Sequence, residues 1–362
     1  MTLRDFRNYK ELFLEFDPGV NLIVGDNAQG KTNLLEAIGY LGSGKSFRAQ
    51  KTGEMVRFSQ DFAEICGTVY SQERLQSLRW LLFSGSRPRQ IFRNGAKKKT
   101  AGDLSGVLST VLFCPEDLMV LKAGAAPRRR LADLALCQLR PNYDAALTEY
   151  NRLLEAKSRI LKDHFENSAV LEVLPEYNAR LCLVGALLIS YRARFFEGLG
   201  KAAAEYHGQF SGGVEDFSLE YKTVSTVTDP FAPVAELNQQ LLDHLECHYR
   251  AELETAQCLT GPHKDDFTVS LSGIDLKAYG SQGQTRTAAI SLKLAQRELM
   301  RRESGEEPVQ LLDDVLSELD PGRQDFVLNQ IVSGQVFITC CEPGRFTKLG
   351  KTIEIEKGSL KN

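Results

Sequence analysis

The spacing of apolar residues changes along this chain, and each change predicts a different element. The run Val20, Asn21, Leu22, Ile23, Val24 is short and nearly continuous, which predicts a buried strand. Leu34, Leu35, Ala37, Ile38 and Leu41 follow at helical spacing. Apolar and polar residues alternate over 12–16, 63–70 and 78–83, with Gly, Ser and Pro between them, which predicts strands joined by turns. From about 127 to 210 the period lengthens. Leu131, Leu134, Leu136, Leu139, then Leu147, Tyr150, Leu153, Leu154, and later Leu181, Leu183, Leu187, Leu188 recur at helical spacing, with few prolines. Residues 216–227 predict one or two strands and 234–257 a helix. Phe267, Val269, Leu271 and Ile274 predict a hairpin, after which helix, strand and loop alternate to the end. The order is α/β, helical insertion, α/β. It predicts an N-terminal lobe part over 1–122, a mainly helical lobe over 123–255 and a C-terminal lobe part over 256–362.

The turn between the first predicted helix and the strand before it carries chemistry. Gly25, Asp26, Asn27, Ala28, Gln29, Gly30, Lys31 and Thr32 fit the phosphate-binding pattern G-x-x-x-x-G-K-[ST]. Strand, glycine loop and helix are the context this P-loop needs. Backbone N–H groups of the loop cradle phosphate oxygens, and the helix N-terminus adds a favourable dipole. In such a loop Lys31 reaches the β- and γ-phosphates and the Thr32 hydroxyl ligates Mg²⁺.

A second half of a nucleotide site lies far downstream. Val309, Gln310, Leu311 and Leu312 predict a strand ending at Asp313 and Asp314, the form of a Walker B strand. One carboxylate there holds Mg²⁺ through water, and its neighbour orients the attacking water or acts as base. The separation from the P-loop implies an insertion within the nucleotide-binding core. Just before this strand stand Ser281, Gln282, Gly283 and Gln284, opening a long predicted helix. A helix start of this composition is either a plain Gly-rich N-cap or a second anion site, and its position just before Asp313 favours the anion site. With a P-loop already present, it serves another phosphate, which a second copy of the chain brings to it.

Composition bounds the partners. The 362 residues carry a net charge of −3, so a nucleic-acid surface must be local rather than global. Such clusters occur at Arg87, Arg89, Arg93, Lys97, Lys98, Lys99 and at Arg128, Arg129, Arg130. For a surface lysine run, a solvated face is the commoner alternative. No helix-turn-helix or zinc-finger spacing stands in the sequence, so base-specific readout is not expected. No apolar run reaches the roughly 20 residues of a membrane span, and residues 1–10 lack a signal-peptide core. The eight cysteines include no Cys-x-x-Cys, which argues against a metal or disulfide framework and for a reducing cytoplasm. His263 reads as a turn histidine with a hydrogen-bonding task. Glu116 and Asp117 either hold a water or cap the helix near Leu118. Arg48 faces nucleotide, DNA or structure.

These residues resemble those of ABC-type ATPases. Ser281 to Gln284 is similar to their signature motif, and Ser317-Glu-Leu-Asp320 to their D-loop. The long insertion resembles SMC-like heads, without their heptad coiled coils. The chain resembles most the RecF family, bacterial recombinational-repair proteins of the gap-repair pathway. The resemblance is carried by Phe6-Arg-Asn-Tyr9, the P-loop with Asn33-Leu-Leu-Glu-Ala37, Gly44-Lys-Ser-Phe-Arg48, Phe113-Cys-Pro-Glu-Asp-Leu118, Arg128-Arg-Arg130, Thr260-Gly-Pro-His-Lys-Asp-Asp266, and Leu312-Asp-Asp-Val-Leu-Ser-Glu-Leu-Asp320.

The resemblance implies an ABC-type P-loop ATPase head with an inserted helical lobe, using ATP and Mg²⁺. It implies a homodimer that forms in ATP, with the nucleotide between one copy's P-loop and the other's signature. Lys31 and Thr32, flanked by Asn33, then bind phosphate and Mg²⁺; Asp313 holds Mg²⁺; Asp314 is the catalytic acid; Ser281 and Gln284 reach the partner's γ-phosphate. Relatives often carry Glu where Asp314 stands, so a weak DNA-stimulated ATPase suited to a switch is expected. Where ABC heads place a histidine after the next strand, 335–339, this chain has Thr339 or Cys340. The implied partners are DNA at single-strand gaps and single-strand/duplex junctions, without sequence preference, and RecR and RecO. The implied roles are recombinase loading, replication recovery and the SOS response. A transporter nucleotide-binding subunit shares the nucleotide motifs, but the long insertion and the missing Leu-Ser-Gly-Gly-Gln form stand against it. An ATP-regulated nuclease would need an added acidic metal-binding domain.

Overall fold

A computed structural model describes residues 1–331, 333–342 and 344–361. The chain divides into two units. One comprises 1–119 with 289 to the C-terminus, and the other is Val120–Ala288. The 256–288 segment therefore clusters with the helical unit.

The first unit holds two six-stranded sheets. In one, Ser359–Leu360, Lys351–Glu356, Val20–Val24, Val336–Cys340, Val309–Asp313 and Thr110–Phe113 lie side by side in that order. All neighbours run parallel except the terminal hairpin pair Lys351–Glu356 and Ser359–Leu360. Parallel strands are buried on both faces, which accounts for the mostly apolar runs at 20–24 and 309–312. The other sheet is antiparallel, in the order Tyr9–Phe13, Thr2–Phe6, Phe62–Ser71, Arg74–Phe83, Gln90–Arg93, Ala96–Lys98. Its long strands alternate buried and exposed residues, as a half-covered sheet requires.

Helix Lys31–Ser43 is buried nearly all round, through Leu34, Leu35, Ala37, Ile38, Tyr40 and Leu41. A helix with one apolar stripe needs one partner layer; this one has two. Its side chains share one core with Leu3, Ile65 and Trp80 of the antiparallel sheet and with Leu311, Phe337 and Ile353 of the parallel sheet. Trp80 is fully buried and donates its indole N–H to the Leu41 carbonyl at 3.0 Å, which satisfies its one polar atom.

The second unit is built from helices Ala125–Leu139, Pro141–Asp163, Leu174–Ser211 and Val234–Thr255, with the antiparallel strands Phe217–Lys222, Asp266–Leu271 and Ile274–Asp275. The hairpin after Pro262 is as expected. Over 216–227 only Phe217–Lys222 is a strand; Val224 and Val227 instead pack into a helical core cluster with Ile189, Leu237 and Leu241. The segment Ser168–Ser211 is long and apolar enough to cross a membrane by length and composition alone, which the sequence reading missed. Of its most apolar stretch, 56% is buried inside the protein, as in a core helix.

Buried charge fixes the 260–266 turn. Lys157 and Glu252, both about 1% exposed, pair at 2.5 Å, and Glu252 also accepts from the Leu259 and Thr260 N–H groups at 2.6 and 3.3 Å. Breaking one side of such a pair strands a buried charge. Glu252→Ala is expected to lower unfolding free energy by about 3–5 kcal/mol, whereas the paired change Lys157→Met with Glu252→Met costs much less. Urea denaturation of the two variants measures the difference.

Candidate nucleotide site

The P-loop leaves the C-terminal end of strand Val20–Val24, which lies between two parallel neighbours. In open parallel sheets ligands bind at that edge. Gly30 starts helix Lys31–Ser43 at φ 119°, with no side-chain cap. A Cβ there would stand 2.7 Å from the Asn8 amide and 3.0 Å from the Tyr9 hydroxyl, so both space and backbone demand glycine. Helix N–H groups without a capping oxygen are what a phosphate cradle needs.

The loop is held from outside. Tyr9 donates to the Gly30 carbonyl at 2.9 Å, and burial pushes its phenol well above the usual range. Asn8 donates to the Gln29 carbonyl at 2.8 Å and accepts from Asn33 at 2.8 Å. From the C-terminal hairpin, Lys357 N–H donates to Gln29 Oε1 at 2.6 Å and Gly358 N–H to the Gln29 carbonyl at 3.0 Å. Arg7 makes two 2.8 Å bonds to the fully buried Glu36 carboxylate. Phe6-Arg-Asn-Tyr9 is thus a brace for the loop and its helix.

Inside the loop, Lys31 Nζ donates to the Gly25 and Asp26 carbonyls at 2.6 and 3.0 Å and lies 3.4 Å from Cys341 Sγ. Thr32 Oγ1 donates to Asp313 Oδ1 at 2.9 Å. The two residues stand 281 positions apart, and the parallel sheet brings them together. Thr339 also donates to Asp313 Oδ1, at 2.9 Å, and accepts from the Asp314 N–H at 2.9 Å. Burial pushes the Asp313 carboxyl up, and the two threonine hydroxyls pull it partly back. Asp314 takes a left-handed backbone, φ 51°, at the head of a short turn. Aspartate tolerates that region better than most residues. Asp26, Asn27, Ala28 and Gln29 form the body of the loop, with Ala28 also left-handed at φ 63°.

Three readings left open by the sequence narrow here. Thr339 turns inward onto Asp313, and Cys340 is buried, which pushes its thiol up to about 11. The residue beside Lys31 is the exposed Cys341, which also donates to Asn27 Oδ1 at 3.1 Å. Asp117 pairs with Lys293 at 3.1 Å and accepts from the Cys114 N–H at 3.0 Å, so it caps its turn. Arg48 donates to Asn33 Oδ1 at 2.9 Å, which places it next to the Thr32 side of the loop. Cys341 carries a prediction. Alkylation by iodoacetamide is expected at this thiol, and a nucleotide seated in the loop beside Lys31 would slow it. Peptide mass spectrometry with and without ATP measures the protection; equal labelling would place the nucleotide elsewhere.

The second unit holds the signature segment. Ser281 is exposed; its Oγ accepts from the Gln284 N–H at 3.2 Å, and Gln284 Oε1 accepts from the Ser281 N–H at 3.1 Å. This is a reciprocal capping box opening helix Gln282–Ser304. Gln284 Nε2 donates to Glu215 at 2.8 Å. Glu215 was not foreseen.

The basic clusters divide. Arg128 is 2% exposed and forms a bidentate pair with Asp266, at 2.5 and 2.7 Å, so it is no surface contact. Arg129 donates to the Asp265 carbonyl at 2.7 Å. Arg89 lies over the Trp80 ring and donates to Tyr40 OH at 2.8 Å, and Arg93 donates to Gln76 at 2.9 Å. Lys97 and Lys99 are exposed on or beside the hairpin of Gln90–Arg93 and Ala96–Lys98. His263 bridges the Tyr150 hydroxyl at 2.7 Å and the Cys258 carbonyl at 2.9 Å; burial pushes it down to about 4, so it is neutral at pH 7. Among the described residues no cluster of three His, Cys, Asp or Glu side chains could hold a metal.

The RecF/RecN/SMC N terminal domain family matches over residues 1–360. The DNA replication and repair protein RecF of Agathobacter rectalis is 38% identical, covering 99% of this chain and 97% of its own. That of Acetivibrio thermocellus is 34% identical, covering 96% and 93%. Among solved structures, the recombination mediator protein RecF-ATP of the RecFOR pathway superposes with a TM-score of 0.89 at 33% identity, covering 99% of this chain and 95% of that one. The Smc head domain of Pyrococcus furiosus shares the fold, with a TM-score of 0.53 at 17% identity and coverage of 99% and 94%.

Proposed function

The chain belongs to the RecF family of DNA replication and repair proteins, and we propose that two copies of it close on DNA when each has bound ATP. It is an ATP-binding DNA repair protein with an ABC-type head, and the transporter reading falls away. The observation that carries the site is the 2.9 Å contact of Thr32 with Asp313, which joins P-loop and Walker B strand.

The site suits Mg²⁺. A hydroxyl and a carboxylate oxygen in contact are hard donors, and Mg²⁺ commonly takes one or two such groups, with substrate phosphates and waters completing its shell. Bound there, Mg²⁺ would offset charge on the β- and γ-phosphates. Lys31 exchanges its two loop carbonyls for phosphate oxygens. Thr32 and Asp313 would hold the metal, Thr339 fixes the Asp313 carboxylate, and Asp314 would orient the attacking water and take its proton. Asp314 is one methylene shorter than glutamate, which favours slow turnover. Ser281 of one copy donates to the γ-phosphate held by the other.

The fine assignments follow the family. The DNA is bound through its backbone at gaps and single-strand/duplex junctions, with the Lys97–Lys99 hairpin as one contact. RecR and RecO are the partners, and the cytoplasm is the location. Asp314→Asn should trap the closed pair: ATP still binds, but the dimer's lifetime grows by roughly a hundredfold, the usual worth of a general base. Size-exclusion chromatography after ATP removal measures it. A variant dimer that dissociates as fast as the wild type would remove Asp314 from the reaction.

A further inference from the structure

Gln284 does not stand alone at the signature. Its Nε2 donates to Glu215 Oε1 at 2.8 Å, and Glu215 Oε2 lies 2.9 Å from Nε2 of His207. His207 is fully buried on helix Leu174–Ser211, with its ring 5.5 Å from that of Phe217. Its Nδ1 is buried with no hydrogen-bond partner. A proton on Nδ1 would have no acceptor, so the favoured tautomer carries it on Nε2, facing the carboxylate. Gly212 and Gly213, at φ 65° and 78°, end the helix and turn the chain back so that Glu215 reaches His207. The next residue is tied down as well: Asp216 N–H donates to Ser272 Oγ at 3.2 Å, and its carbonyl accepts from Ser272 N–H at 2.7 Å.

A carboxylate only accepts hydrogen bonds. Facing Glu215, the Gln284 amide must present its NH₂ end, which leaves Oε1 for the Ser281 N–H. Ser281 Oγ in turn accepts from the Gln284 N–H, so its own O–H points elsewhere as a donor. One carboxylate therefore sets the direction of the Gln284 amide, and through its Oε1 holds the Ser281 backbone from which the hydroxyl projects. We propose that Glu215, braced by His207, is a positioning residue that orients Gln284 and Ser281 to receive the triphosphate of a second copy. The proposal rests on the two-copy reading above and adds the residue that aligns its signature half. Hydrogen bonding from Gln284 is the main reason the Glu215 carboxyl lies below its usual range, which agrees with a carboxylate engaged as acceptor.

The test compares two replacements by sedimentation velocity across an ATP titration, with ATP affinity measured at protein concentrations where the chain is monomeric. Glu215→Gln keeps one acceptor, its Oε1 facing Gln284 while its NH₂ donates to Nε2 of His207, which then carries its proton on Nδ1; Glu215→Met keeps the volume and has no acceptor. ATP affinity of the monomer is expected to be unchanged in both. Dimerisation is expected to weaken in Glu215→Met by about tenfold per site, hence about a hundredfold for two sites, and to be restored in Glu215→Gln to within a few-fold of wild type. Glu215→Ala is the second acceptor-free variant should the methionine disturb folding. Wild-type dimerisation by an acceptor-free variant that binds ATP overturns the proposal, as does equal loss in Glu215→Gln. If the wild type itself fails to dimerise in ATP, the two-copy reading is what fails.

Discussion

Lys31→Met is expected to abolish ATP binding and, with it, the proposed ATP-dependent pairing of two copies. Lys31 is 5% exposed, and its ammonium is held inside the loop by the Gly25 and Asp26 carbonyls. It is a preplaced cation on a flexible stem, within reach of any phosphate the loop amides cradle. Methionine keeps the stem's bulk and loses the charge. The helix should form unchanged, because its burial rests on Leu34, Leu35, Ile38 and Leu41. Charge-assisted bonds to a triphosphate are worth about 3 kcal/mol or more, so affinity should fall at least about a hundredfold. Titration calorimetry reads this directly. A variant within threefold of wild type would show that the triphosphate does not meet Lys31.

Ser281→Arg is expected to separate binding from pairing. Ser281 is exposed at the start of helix Gln282–Ser304, in a unit other than that of the P-loop. Arginine removes the Oγ that caps the Gln284 N–H and fills the space a neighbour's phosphate would take. Loss of the cap costs about 1 kcal/mol locally, too little to unfold the protein. ATP affinity of the monomer should match wild type while the dimer disappears. Calorimetry and sedimentation on one preparation give both numbers.

Much of this site was legible because its chemistry is local. The P-loop, the Asp313–Asp314 pair and the Ser281–Gln284 turn each occupy a few consecutive residues. What joins them was not legible. Lys357 and Cys341 reach the loop only because the parallel strands and the C-terminal hairpin converge on it, and no local pattern marks them; Asn8 stood in a segment the resemblance picked out, but its bond to the loop did not show in sequence. The fold followed the same rule. Strand 12–16 was read from alternation that continues past the ladder. Pairing covers Tyr9–Phe13, yet Leu14 remains buried and Phe16 packs edge-on against Phe337 at 4.8 Å. Arg128 was read from charge as surface, but Asp266, distant in sequence, pairs with it inside the unit. Glu215 carried no motif at all. Only its two hydrogen bonds reveal it.

Mixing Lys31→Met with Ser281→Arg tests most directly whether each nucleotide is held by two copies of the chain. Neither variant should pair alone. Together they can form one intact pocket, from the P-loop of the Ser281→Arg copy and the signature of the Lys31→Met copy. Sedimentation velocity in ATP should show a dimer in the mixture and monomers in each separate sample. If Ser281→Arg pairs by itself as the wild type does, the second copy contributes nothing to the pocket and the claim is wrong.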